Sequence, residues 1–63
     1  MTEKEIRDYN SKCTNSENYE LSYVGSYGIT VYEHATGEFI DFYWHQEYDL
    51  WKHIDQLCGY KRA

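Results

Sequence analysis

The stretch from Tyr19 to Trp44, YELSYVGSYGITVYEHATGEFIDFYW, decides the fold class. Tyr19–Val24, Gly28–His34 and Glu38–Trp44 each alternate in the two-residue rhythm of a strand and are rich in β-branched and aromatic residues. Gly25-Ser26-Tyr27-Gly28 separates the first two runs and His34-Ala35-Thr36-Gly37 the last two, with Gly37 suited to the left-handed position that closes a hairpin. The reading is a three-stranded antiparallel meander over 19–44.

Hairpin register decides what each face carries. A four-residue loop at His34–Gly37 puts Ile29 and Val31 on one face with Ile40, Phe42 and Trp44, and an odd-numbered first loop adds Leu21 and Tyr23. The opposite face then shows Glu20, Ser22, Thr30, Tyr32, His34, Phe39, Asp41 and Tyr43. A three-residue loop would instead swap one strand's faces and require a second covering element.

Helical rhythm flanks the sheet. Leu50, Trp51, Ile54, Leu57 and Cys58 mark one face of a helix over 46–58, with Asp49, Lys52, His53 and Gln56 opposite. Gly59 supplies a left-handed stop, and Tyr60 is placed to fold back on the last turn. Ile6, Tyr9 and Cys13 permit a short helix over 2–13, and Thr14–Asn18 is a polar connection. The expected fold is α+β: a small single domain, residues 1–63, in which the meander packs against the C-terminal helix.

Sixty-three residues leave no room for separate cofactor and substrate lobes. Leu, Ile, Val and Phe together supply only 11 of them, a share that raises the question of disorder. Twelve aromatic residues, eight of them Tyr, answer it, because each ring buries roughly 150–250 Å². No apolar stretch opens the chain and none approaches a membrane span, so a cytoplasmic protein without membrane attachment is expected. Cys13 and Cys58 are the only cysteines, too few for a disulfide scaffold. Reduced thiols are the plainer reading, and a Cys13–Cys58 bridge stays open on spacing alone.

Charge is the most informative pattern. From Cys13 to Trp51, 39 residues, there is no Lys or Arg, while Glu17, Glu20, Glu33, Glu38, Asp41, Glu47 and Asp49 supply seven acids. The net charge is -5, and all three strands lie inside the gap. Solubility alone accounts for charge of this size. A sheet without cations also attracts basic partners and repels nucleic acid, and an excess of Tyr suits a rigid binding surface.

The alternatives are weaker. His45, Asp49 and His53 stand four residues apart, as metal ligands on a helix would, but no fourth ligand is near and a solvated polar stripe has the same pattern. Cys58 falls on the apolar helix face, and nothing beside Cys13 suggests a lowered pKa. The acids have little concave volume in which to become catalytic, so an enzyme is not expected, nor a metal or cofactor. Exposed rings can stack bases, but direct nucleic-acid binding would need cations among them.

These features favour a non-enzymatic interaction protein that inhibits or regulates a basic, nucleic-acid-binding protein or enzyme, its carboxylates standing in for phosphates. The residues expected to carry partner binding are Glu20, Tyr32, His34, Glu38, Asp41 and Tyr43. In size and charge the chain is similar to the small acidic inhibitors that phages and mobile elements make against host nucleases, a likeness of kind that shares no motif and transfers no residue. The alternative is a structural or assembly subunit acting as a homodimer; a small metal-binding protein or enzyme is third.

Overall fold

A computed structural model describes residues 1–45 and 49–62. The order is α1 (Glu3–Ser11), β1 (Tyr19–Val24), β2 (Gly28–Glu33), β3 (Glu38–Tyr43) and α2 (Leu50–Cys58). The strands form one antiparallel sheet, β1-β2-β3, so the α+β meander packed against helices is the fold.

The second hairpin takes the four-residue loop: Glu33 pairs with Glu38, Val31 with Ile40 and Ile29 with Phe42. Ile29, Val31, Ile40 and Phe42 therefore share a face. Gly37 at φ 71° closes the turn, its N–H donating to Glu33 O at 2.9 Å. Gly28 serves the close approach of β2 to β3, because a Cβ there would collide with the backbone oxygen of Phe42.

The first hairpin departs from the expected register. Leu21 pairs with Val31, but a bulge between Leu21 and Tyr23 shifts the ladder, so that Tyr23 pairs with Thr30 and Val24 with Ile29. The bulge lets both Leu21 and Val24 pack on the core and turns Tyr23, expected inside, to the opposite face, where it is exposed. Trp44 is also outside the core cluster; it is exposed, and its Nε1 donates to Gly25 O at 2.9 Å. The indole finds a polar partner at the sheet end that the apolar interior does not offer.

Both helices cover the same sheet face. Tyr9 of α1 and Leu50, Ile54 and Cys58 of α2 join Leu21, Ile29 and Val31 in one buried cluster, with Ile6, Phe42, Trp51 and Leu57 packed around it. In α1, Thr2 and Glu5 form a reciprocal capping box, and Asn10 spans both backbone groups of Leu21, donating to its oxygen and accepting from its N–H at 2.9 Å each. In α2, Asp49 is the N-cap, accepting from Lys52 N, so the helix begins later than 46; residues 46–48 lie outside the described residues.

The C-terminus of α2 is a junction with the α1–β1 connection. Gly59 is left-handed at φ 77°, and Gly59 N and Tyr60 N both donate to Asp55 O. Thr14 N donates to Gly59 O at 2.9 Å, Asn15 N to Cys58 O at 3.0 Å and Asn15 Nδ2 to Leu57 O at 2.9 Å, which satisfies the last carbonyls of the helix. The Tyr60 ring, expected on the last turn of α2, stacks on Tyr9 of α1 at 4.2 Å. A Cβ at position 59 would strike Thr14 Oγ1 as well as force a left-handed alanine. Gly59→Ala is expected to lower stability in urea unfolding by about 2 kcal/mol or more; a change under about 0.5 kcal/mol would show that the junction yields.

Candidate protein-interaction face

The sheet face turned away from the helices is built from strand parity. Residues at i and i+2 share a face, and the bulge adds Tyr23 to the side of Glu20, which places Glu20 and Tyr23 of β1, Thr30 and Tyr32 of β2, and Phe39, Asp41 and Tyr43 of β3 together, with His34 just beyond β2. Tyr23, Tyr27, Phe39 and Tyr43 are 51%, 42%, 62% and 42% exposed, so the face presents large apolar area to solvent.

Two ring groups make up the face. At one end the Tyr27 ring lies beside Tyr23 (6.1 Å) and Tyr43 (5.8 Å), and Tyr43 stacks with His45 at 5.8 Å. At the other, Tyr32 contacts Phe39 at 5.1 Å and meets His34 edge-on at 4.8 Å. Between them Thr30, only 7% exposed, donates to Asp41 Oδ1 at 2.7 Å and is hydrogen-bonded by the Tyr27 hydroxyl. Since the Thr30 proton goes to the carboxylate, the Tyr27 hydroxyl donates to Thr30 Oγ1.

Five of the six expected binding residues, Glu20, Tyr32, His34, Asp41 and Tyr43, lie on this face. Glu38 does not: it shares parity with Ile40 and Phe42 and is exposed at the strand end on the helix side. His34 Nε2 and Glu20 Oε1 are 2.9 Å apart. Tyr23, Tyr27 and Phe39 belong to the face and are not among the expected site residues. Alternation places Phe39 there, but no sequence signal marks the bulge that exposes Tyr23 or the loop that lays Tyr27 over Thr30.

No Lys or Arg stands on the strands. Lys4, Arg7 and Lys12 are in or next to α1, and Lys52, Lys61 and Arg62 are in or after α2. Arg7 reaches the rim, lining a shallow groove with Glu20, Tyr32 and Phe39, and pairs with Glu3 at 3.2 Å.

Larger clefts lie elsewhere. Two open clefts, about 720 and 650 Å³, share Trp51, Tyr60 and Arg62 at the C-terminal corner. There Asp55, 8% exposed, accepts from the Tyr9 hydroxyl at 2.7 Å and from Nε and Nη2 of Arg62, whose guanidinium lies 4.9 Å over Trp51 and 5.2 Å over Tyr60. Asp49 is committed to its cap and His45 precedes the helix, so the four-residue spacing of His45, Asp49 and His53 is not a helical one. Among the described residues, no group of three or more His, Cys, Asp or Glu is placed to hold a metal ion. No helix among them is long and apolar enough to cross a membrane.

Cys13 and Cys58 are free thiols. Burial, with Asp55 nearby, pushes Cys13 up to about 11, and burial, with Cys13 and Asp55 nearby, pushes Cys58 up to about 12; both are protonated and weakly nucleophilic at neutral pH. Burial and the bond to Asp55 raise the Tyr9 phenol as well. No protein-family model, curated protein or solved structure matches the chain.

All three groups hold their protons more tightly folded than unfolded. Their contribution is therefore complete below the ordinary thiol value of 9.0 and is lost as pH rises toward 11 and 12. The urea midpoint is expected to stay level from neutral pH to about 9 and then fall, less steeply in Tyr9→Phe. A level midpoint to about pH 11 would contradict the raised values.

Proposed function

We propose that the chain is a non-enzymatic interaction module whose acidic, Tyr-rich sheet face binds a basic protein surface, inhibiting or regulating a nucleic-acid-binding protein. The observation that carries this reading is the joining of exposed rings and carboxylates on one face whose strands bear no Lys or Arg. Carboxylates held on a sheet supply long-range attraction for a basic partner, and the rings supply the area whose desolvation anchors it. A nucleic-acid-binding surface is the natural complement, since its cations are arrayed to meet anions beside planar groups.

The double variant Glu20→Lys/Asp41→Lys tests the reading against wild type in a pull-down from nuclease-treated lysate. Wild type is expected to retain a basic protein that rising salt and added DNA both release, and the variant to bind it at least about tenfold more weakly. Equal retention by folded variant and wild type would overturn the mechanism.

A second reading, self-assembly, is favoured by the sheet's edges. Asn10 occupies the outer backbone groups of Leu21 on β1, whereas the register of β3 points the backbone groups of Phe39 and Asp41 away from β2. Sedimentation at micromolar concentration separates the two: a monomer is expected for the interaction module, and a tight dimer would put β3 pairing first.

A further inference from the structure

We infer that the sheet face selects arginine over lysine, a guanidinium of the partner forking onto Asp41 and stacking on the rings beside it; this rests on reading the face as the docking surface for a basic protein.

The chain itself shows the chemistry at its other end. Asp55 accepts a hydroxyl on Oδ1, from Tyr9 at 2.7 Å, and still takes both Nε and Nη2 of Arg62, whose guanidinium lies over Trp51 and Tyr60. Asp41, exposed where Asp55 is buried, shares the hydroxyl-oriented carboxylate and the rings nearby. Thr30 donates to its Oδ1 at 2.7 Å, and Phe39 and Tyr43 stand two residues to either side on the same face, roughly 6–7 Å along the strand. One arrangement is filled by a guanidinium from within the chain. The other has no cationic partner among the described residues, which include every Lys, Arg and His of the sequence.

Position on the face favours the same carboxylate. Glu20, the other acid there, is bonded to His34, and Arg7 lines the groove beside it, so an approaching cation is discouraged at that end. Asp41 lies between the ring groups and is oriented by the buried Thr30 hydroxyl. A planar guanidinium uses both features at once, forking to the carboxylate and stacking on a ring. An ammonium is a compact, strongly hydrated charge that uses only the first.

The test measures fluorescence anisotropy of labelled octa-arginine and octa-lysine peptides, equal in side-chain charge, titrated at low ionic strength with wild type, Asp41→Asn and Glu17→Gln. The amide introduced by Asp41→Asn keeps an oxygen for Thr30, and Glu17→Gln removes the same charge from the loop before β1. Octa-arginine is expected to bind wild type and Glu17→Gln about tenfold more tightly than octa-lysine, a preference that falls to about twofold or less in Asp41→Asn. Equal binding of both peptides by wild type would overturn the arginine inference and leave the acidic docking surface standing. Binding of neither would overturn both, and an arginine preference retained in Asp41→Asn would overturn the assignment to Asp41.

Discussion

The extra residue in β1 determines what the rest of the sheet can present. Leu21 and Val24 are three apart, so in a regular strand they would face opposite sides, and a core this poor in aliphatic residues needs both. The bulge between Leu21 and Tyr23 brings both inward and sends Tyr23 outward, opposite Thr30. Asn10 holds both outer backbone groups of Leu21 beside it, which pins the irregularity and closes that sheet edge to another strand. One local departure from the ladder thus fixes the core, the blocked edge and the tyrosine at the corner of the exposed face.

A second consequence concerns the central strand, which is buried from Gly28 to Val31 although helices cover only one side of the sheet. On the other side the rings take the part of a covering layer: Tyr27 folds over Thr30, flanked by Tyr23 and Tyr43. Those tyrosines shield β2 and remain near half exposed, so structural and surface roles are properties of the same side chains. A ring that is already ordered by packing loses little further freedom on meeting a partner.

The sequence was legible where a single period or a single residue governs the outcome. Alternation with Gly37 gave the β2–β3 hairpin and left two loop lengths between which the structure chooses, and the 50–58 periodicity with Gly59 gave the second helix and its stop. Composition could not divide the tyrosines. Tyr9, Tyr19 and Tyr60 pack on the helix side, Tyr23, Tyr27, Tyr32 and Tyr43 take the other side, and Tyr48 lies outside the described residues. The division depends on a bulge, a loop conformation and the stacking of Tyr60 on Tyr9, none of which has a local signature. The bond from Tyr9 to Asp55 spans 46 positions, beyond the reach of any local pattern.

Electrostatic needs inside and outside differ, and that difference places the charge gap. A carboxylate as enclosed as Asp55 must be matched within the chain, because an unpaired charge there would lose its hydration with nothing in return. Tyr9 and Arg62 match it. Arg7 and Lys12 pair along their own helix with Glu3 and Asp8. Asp41 sits in solvent, where hydration supports its charge without a cation, and Thr30 need only orient it. The fold is therefore complete with that carboxylate unmatched, and a negative field left over after folding is available to whatever approaches the sheet.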